Sequence, residues 1–134
     1  MSNARFENQR AVVTGGAAGI GAAIAGRIAN EGGSVMIWDR DADAIAALCA
    51  RNDSLHGLTV DLTDADAVDE AAVETEKLLG GIDVLVCSAG ITGPNQKTWE
   101  YTPGDWRAVF DVNVNGIFYA NRACVPVMMA GNYG

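Results

Sequence analysis

Long apolar runs and basic clusters are both missing from this 134-residue sequence. Nine lysines and arginines stand against 17 aspartates and glutamates, so the formal net charge is −8. An acidic chain without a basic cluster is not expected to bind nucleic acid or an anionic membrane surface. No apolar segment reaches the roughly 18 residues of a membrane-spanning helix, and the polar N-terminus lacks the apolar centre of a signal peptide. We therefore expect a cytoplasmic protein without a membrane partner.

Cysteine and histidine are also rare. The three cysteines, Cys49, Cys87 and Cys124, are odd in number and widely spaced, and His56 is the only histidine. This pattern predicts reduced thiols rather than a disulfide framework, and no zinc or other metal site.

Short apolar segments alternate with segments that have helical spacing. They predict strands at 11–14, 34–39, 55–60 and 82–87, helices at 19–30, 41–50, 64–79 and about 105–130, and a loop at 92–102. In the first helix we expect Ile20 to lie among the apolar positions, and in the third helix we expect Val68, Val73 and Leu78 to share one face. Strands that are apolar on both faces are typical of a parallel sheet covered by helices on each side. The sequence thus predicts one α/β domain, residues 1–134, with a doubly wound sheet and no second domain.

Glycines follow the first predicted strand at the point where a helix begins. The segment runs Thr14-Gly15-Gly16-Ala17-Ala18-Gly19-Ile20-Gly21, with the spacing Gly-x-x-x-Gly-x-Gly. A helix N-terminus presents unpaired N–H groups and a partial positive charge, and glycine lets a pyrophosphate approach the backbone closely. This segment predicts a dinucleotide-binding turn; the alternative is a tight turn that binds no ligand.

An acidic residue ends the second predicted strand. Asp39 lies 18 residues after Gly21, where a carboxylate can accept hydrogen bonds from the adenosine ribose and repel a 2′-phosphate. This favours NAD over NADP. Two alternatives remain: Asp39 could cap the next helix, and Arg40 could pair with a phosphate.

With these motifs the sequence resembles the classical short-chain dehydrogenase/reductase family over essentially its whole length. The segment Thr14-Gly15-x-x-x-Gly19-Ile20-Gly21 is similar to the cofactor turn of that family. NADP-preferring members often carry a basic residue before the second of these glycines, where this chain has Ala18. The resemblance implies a Rossmann-type sheet with strands in the order 3-2-1-4 and with the carboxyl-terminal strands missing.

Three further segments carry the resemblance. Asp61 and Leu62 resemble the adenine-contacting pair of the family, although Asp61 could instead cap the helix that follows. Cys87-Ser88-Ala89-Gly90 occupies the place of the family's Asn-Asn-Ala-Gly, with both asparagines replaced. Segment 111–116 resembles the family's catalytic-asparagine segment, which implies that Asn113 holds a water in a proton relay. Candidate cofactor-binding residues are therefore Thr14, Gly15, Ala18, Gly19, Ile20, Gly21, Asp39, Arg40, Asp61, Leu62, Ser88, Ala89 and Gly90.

The tyrosine and lysine that the family uses as acid/base groups have no counterpart in this sequence. No tyrosine is followed by a lysine four residues later, and the only lysines are Lys77 and Lys97. Members of the family are considerably longer, so we expect this chain to be the amino-terminal half of such a protein and to be inactive alone. An uncovered fourth strand and the exposed apolar residues of a long helix predict either a missing partner half or tight association, such as a homo-oligomer.

The resemblance implies an NAD(H)-dependent oxidoreductase that passes a hydride between nicotinamide and a small-molecule alcohol or ketone. An alternative is a non-catalytic dinucleotide-binding module without the Ser/Tyr/Lys active site. Another is a scaffold that retains only the fold; it would show no thermal shift with cofactor.

Overall fold

Parallel strands alternate with helices along residues 4–134, the part of the chain that this computed structural model describes. The strands are β1 (Arg10–Thr14), β2 (Ser34–Asp39), β3 (Leu55–Thr59) and β4 (Val84–Cys87). The α-helices are α1 (Gly19–Asn30), α2 (Ala42–Cys49), α3 (Ala65–Leu79), α4 (Pro103–Phe110) and α5 (Gly116–Ala130). A 3-10 turn at Thr98–Glu100 lies within the segment predicted to be loop, and a π-helical turn at Asp111–Asn115 joins α4 to α5.

The four strands form one sheet in the order β3-β2-β1-β4, and every neighbouring pair is parallel. In register, Val12 of β1 lies between Met36 of β2 and Leu85 of β4. The predicted α/β class and the strand order 3-2-1-4 are confirmed. Since all strands run the same way, their carboxyl ends meet at one edge of the sheet, where ligands bind in this class of fold.

Both faces of the sheet are covered, which explains why β1 and β2 are apolar throughout. Val13 and Ile37 face α1 and α2, while Val12, Met36 and Trp38 face α3 and α5. All five side chains are buried, and burial of an aliphatic side chain of this size contributes about 1.5–3 kcal/mol. The central strands β1 and β2 therefore form a well-packed core, and the loops at the carboxyl edge of the sheet extend from it.

Hydrogen bonds from Arg10 hold the start of β4 against the start of β1, at the amino edge of the sheet. The backbone N–H and the Nε of Arg10 donate to Oδ2 of Asp83 at 2.9 and 2.8 Å, and Nη2 donates to Oδ1 at 2.9 Å. The Nη1 atom also donates to the carbonyl of Gly80 at 2.7 Å. This bonding holds the pKa of the buried Asp83 carboxyl below its usual range and ties β1 to the turn that leads into β4.

A second ionic cluster holds the N-terminal segment against the end of α1. Glu31 is buried and accepts hydrogen bonds from Arg5 Nε and Nη2 at 2.6 and 2.8 Å, and it also bonds to Arg27. The hydrogen bonds from Arg5, followed by that from Arg27, lower the pKa of Glu31 to about 2.

The predicted long helix at 105–130 was wrong in two respects. It begins earlier, at Pro103, because Thr102 caps it by accepting a hydrogen bond from the N–H of Asp105 at 3.1 Å, and proline suits the first helical position. It is also interrupted by the π-helical turn, a widening that accommodates one extra residue.

The predicted apolar faces were partly wrong. Ile20 is 77% exposed at the start of α1, and Val73 and Leu78 are exposed on α3. The buried face of α3 consists of Val68, Ala71, Ala72 and Thr75, which follow helical spacing with small side chains. Close packing of α3 on the sheet therefore selects small residues, whereas the larger apolar ones point elsewhere.

Candidate nucleotide-binding cleft

A cleft of about 720 Å³ opens at the carboxyl edge of the sheet. Twelve of the thirteen predicted cofactor-binding residues line it: Gly15, Ala18, Gly19, Ile20, Gly21, Asp39, Arg40, Asp61, Leu62, Ser88, Ala89 and Gly90. They come from the ends of all four strands. The structure thus brings together segments that are up to 75 residues apart in sequence, as the bond between Thr14 and Ala89 illustrates.

The glycine turn needs glycine for two different reasons. Gly15 has a φ of +63°, and a Cβ there would lie 2.7 Å from the Cα of Ala89; a Cβ on Gly21 would overlap the carbonyl oxygen of Gly15. These two glycines let the turn pack against its own neighbours. Gly19, with a φ of +56°, differs because a Cβ there would meet no protein atom within 4 Å. The missing side chain at Gly19 leaves open space over the backbone on the cleft side.

The N-terminus of α1 is not capped by a side chain. The residue at the N-cap is Ala18, no acidic residue lies in the first turn, and no side chain bonds to the first N–H groups of the helix. Unpaired N–H groups and the positive end of the helix dipole favour an anion. Together with the open space above Gly19, these features fit a pyrophosphate.

Asp39 lies at the cleft edge and also braces the glycine turn. Its Oδ2 accepts a hydrogen bond from the N–H of Ala17 at 3.1 Å, and its Oδ1 accepts from the N–H of Asp41 at 3.0 Å. The interpretation of Asp39 as a helix cap is wrong, because Asp41 caps α2 by accepting from the N–H of Ala44. Each carboxylate oxygen retains acceptor capacity for a further donor.

Asp61 also lines the cleft, two residues after the end of β3, the strand that pairs with β2. Its Oδ1 accepts hydrogen bonds from the N–H and Oγ1 of Thr63 at 2.9 and 2.7 Å. These bonds, led by that from the Thr63 hydroxyl, lower the pKa of Asp61, and the positive charge of the exposed Arg40 acts in the same direction. The helix-cap alternative for Asp61 is wrong, since Asp64 caps α3.

Thr14 is the one predicted cofactor residue that does not line the cleft. It is buried at the end of β1, and its Oγ1 accepts hydrogen bonds from the N–H groups of Ser88 and Ala89 at 3.2 and 3.3 Å. Thr14 therefore holds the loop after β4 against the glycine turn. Cys87, which stands where the family has asparagine, packs toward α5, and burial raises the pKa of its thiol.

Asn113 lies in the π-helical turn behind the cleft wall. Its Oδ1 accepts a hydrogen bond from the N–H of Ile91, and its Nδ2 donates to the carbonyl of Ile91, both at 2.8 Å. A Cβ on Gly90 would lie 3.3 Å from this Oδ1, a tight contact that would push the side chain of Asn113 by a few tenths of an ångström. The two bonds between Asn113 and Ile91 hold the loop after β4 in place where it lines the cleft.

The sequence reasoning missed several lining residues. The cleft is also lined by Trp38, Val60, Thr63, Ile91, Ala108, Asp111 and Val112. Four of these adjoin a predicted residue at a strand end, and that adjacency is the signal that could have identified them. Ala108 comes from α4, and no sequence pattern placed that helix against the cleft.

Residues 4–134 show neither a metal cluster nor a membrane-spanning helix. No group of three or more histidine, cysteine, aspartate or glutamate side chains is arranged to hold a metal ion there. Within the same residues, no helix is long and apolar enough to cross a membrane.

Comparison with known proteins agrees with this geometry. The chain is 45% identical over 130 residues to a 2-dehydro-3-deoxy-L-rhamnonate dehydrogenase (NAD(+)) of Sphingomonas sp. (strain SKA58), covering 97% of this chain and 52% of that protein. It is 39% identical over 129 residues to the 1-deoxy-11-beta-hydroxypentalenate dehydrogenase of Streptomyces exfoliatus, covering 92% of this chain and 47% of that protein. The crystal structure of gox2181 superimposes with a TM-score of 0.93 at 29% identity, covering all of this chain and 54% of the other.

The chain spans about half the length of the curated relatives it matches. The family model described as short chain dehydrogenase matches residues 9–134, which is nearly the whole sequence. Its match agrees with the strand order, the glycine turn and the residues at the carboxyl edge of the sheet. This chain belongs to the short-chain dehydrogenase family.

Proposed function

We propose that this chain forms the NAD-binding part of a dehydrogenase that transfers a hydride between nicotinamide and a small-molecule alcohol or ketone. The observation that carries the proposal is the convergence, in one cleft, of an uncapped helix N-terminus with two carboxylates at the ends of β2 and β3. The similar Sphingomonas protein is named as an NAD(+) enzyme, which supports the same cofactor here.

The charges of the cleft favour NAD over NADP. The pyrophosphate would lie on the N–H groups after Gly19, and the adenosine ribose would donate to Asp39. A 2′-phosphate would meet that carboxylate, which is already held in place by Ala17 and Asp41. Asp61 would accept a hydrogen bond from the adenine amino group. Among residues 4–134, Arg40 is the one cationic residue that lines the cleft.

Asn113 is proposed to assist the proton transfer that accompanies hydride transfer. When bound, the nicotinamide supplies the hydride acceptor or donor, and the protein supplies orientation and acid/base groups. Both polar atoms of the Asn113 side chain already bond to Ile91. Oδ1 keeps a second lone pair and Nδ2 a second proton, so the side chain would hold a relay water with these while it keeps the turn in place.

The acid/base tyrosine and lysine are proposed to lie outside residues 1–134. Titration of the full-length protein with NADH and NADPH by calorimetry, with turnover of candidate alcohols followed by NADH absorbance, tests the proposal. We expect binding with preference for NADH, and turnover in the full-length protein but not in the 1–134 chain. Turnover by the 1–134 chain would contradict this assignment of the acid/base groups. Tight NADH binding without turnover of any alcohol or ketone by the full-length protein would instead favour the non-catalytic dinucleotide-binding module.

Association with a second copy is also proposed. Five large apolar side chains are exposed along α4, the π-helical turn and the start of α5: Trp106, Phe110, Val114, Ile117 and Phe118. The rings of Trp106 and Phe110 stack with centroids 5.0 Å apart. A contiguous exposed apolar surface is typical of a protein–protein interface. Sedimentation of the full-length protein should show a homo-oligomer, and replacement of Trp106 by glutamate should shift it toward the monomer.

A further inference from the structure

A buried hydroxyl on α3 orients the tryptophan beneath the adenosine side of the cleft. The Nε1 of Trp38 donates a hydrogen bond to Oγ1 of Thr75 at 3.0 Å, and this hydroxyl donates to the carbonyl of Ala71 at 2.7 Å. Trp38 and Thr75 are both fully buried. Thr75 therefore uses its proton within its own helix and keeps a lone pair for the indole.

Trp38 contacts the cleft through both its backbone and its side chain. Its carbonyl accepts the hydrogen bond of Gly15 N–H at 2.8 Å, so the first residue of the glycine turn is held by the tryptophan backbone. Trp38 itself lines the cleft, as do Asp39 and Val60, and its side chain belongs to the same buried cluster as Val60. The N–H of Val60 bonds in turn to the carbonyl of Asp39 at 2.9 Å.

The two carboxylates proposed to bind adenosine are the residues that follow Trp38 and Val60 in the sequence. Asp39 is the next residue after Trp38, and Asp61 is the next residue after Val60. The indole fills the space between β2 and α3, and α3 begins just beyond Thr63. The indole thus packs between α3 and the end of β2, and its orientation contributes, together with the backbone bond between Val60 and Asp39, to the position of the segment that precedes α3.

We propose that Thr75 and Trp38 are a positioning pair that sets the separation of Asp39 and Asp61 for the adenosine half of the cofactor. The inference rests on the proposed NAD-binding function and adds a residue on α3 that has no contact with the cleft itself. A phenylalanine could fill the core at position 38 without a partner, whereas a buried indole N–H must be bonded. The hydrogen bond to the Thr75 hydroxyl fixes a single orientation of the Trp38 indole.

The test uses the full-length protein with three variants: Thr75→Val, Thr75→Ser and Trp38→Phe. Valine keeps the shape of threonine but removes the acceptor, and serine restores the hydroxyl. Thr98→Val is the matched control, because Thr98 is exposed on the 3-10 turn and its side chain is not part of the cleft. Calorimetry measures the affinity for ADP-ribose and NADH well below the melting temperature, and thermal unfolding is recorded in parallel.

We expect Thr75→Val to weaken ADP-ribose and NADH binding alike by about threefold to tenfold, with the net free energy of the lost Trp38–Thr75 bond as the upper limit. Thr75→Ser should restore affinity to within about twofold, and Thr98→Val should leave it unchanged. If Thr75→Val does not fold, Trp38→Phe removes the same bond and carries the same expectation.

Two outcomes separate the inference from the proposed function. A folded Thr75→Val protein with a lower melting temperature but unchanged affinity for ADP-ribose would overturn the inference, because the bond would then only stabilise the core. A wild-type protein that binds neither ADP-ribose nor NADH would overturn the proposed function itself, and the inference with it.

Discussion

Replacement of Gly19 by alanine should separate cofactor binding from stability. A Cβ at this position meets no protein atom within 4 Å, so the only cost within the protein is the φ of +56°. A left-handed conformation costs an alanine about 1–2 kcal/mol. At about 4 °C for each kcal/mol in a domain of this size, the melting temperature should fall by roughly 4–8 °C.

The same methyl group should have a much larger effect on the cofactor. It would occupy the open space over the backbone through which the pyrophosphate reaches the N–H groups of α1. We expect the dissociation constant for NADH, measured by calorimetry on the folded variant, to rise at least about tenfold, equivalent to about 1.4 kcal/mol.

Two other glycines of α1 provide matched controls. Gly26 lies in the helix interior, where a Cβ also meets nothing within 4 Å, so Gly26→Ala should stabilise the protein by about 0.5–1 kcal/mol without changing affinity. Gly21→Ala should reduce both stability and affinity because its Cβ would overlap the carbonyl of Gly15. Unchanged NADH affinity in Gly19→Ala would refute the assignment of the pyrophosphate to this turn.

The remaining predictions concern charge, specificity and the loop after β4. Because the folded pKa of Glu31 is about 2, below its ordinary value of 4.5, its contribution to stability is fully present above about pH 4.5 and is lost as the pH falls toward 2. The difference in urea midpoint between wild type and Glu31→Gln should therefore shrink over that range; a constant difference would contradict the ionic origin. Asp39→Ser should raise the ratio of NADPH to NADH affinity at least about tenfold, since the carboxylate no longer opposes a 2′-phosphate, and an unchanged ratio in calorimetry would rule this out. Asn113→Ala leaves the backbone groups of Ile91 without their partner and should lower the free energy of unfolding by about 1–3 kcal/mol in denaturant titration, whereas exposed Asn115→Ala should change it by less than about 0.5 kcal/mol. Equal effects of the two asparagine variants would contradict the role of the Ile91 bonds.

Local signals in the sequence were sufficient for the central strands, α1 and most of the cleft. The predicted bounds of α1 and β2 match the structure, because a helix start after glycines and a strand between Gly33 and Asp39 are both marked by backbone-specific residues. The cleft followed from the same logic: parallel strands bring their carboxyl ends together, so residues after each strand meet whatever their distance along the chain.

What the sequence could not predict depends on packing between elements. Val73 and Leu78 were predicted to share one face of α3 with Val68, yet both are exposed. The helix packs on the sheet through Val68 and the smaller residues Ala71, Ala72 and Thr75. The bond between Trp38 and Thr75 joins residues 37 apart, and no local pattern marks it. The π-helical turn was missed because its five residues carry no helix-breaking proline or terminal glycine inside the turn.

The wide turn at Asp111–Asn115 also determines the direction of the surface beyond it. Successive side chains of an α-helix are rotated by about 100° around the helix axis. In an uninterrupted helix the side chain of Met129 would therefore point about 140° away from that of Trp106. Because the wide turn takes up one residue, the angle between the two directions falls to about 40°. Trp106, Phe110 and Met129, all exposed, can therefore face the same side of the molecule. Deleting one residue from this turn would rotate the apolar residues of α5 away from those of α4 while also moving Asn113 from Ile91. The geometry of the cleft and the alignment of the outer apolar surface thus depend on a single inserted residue.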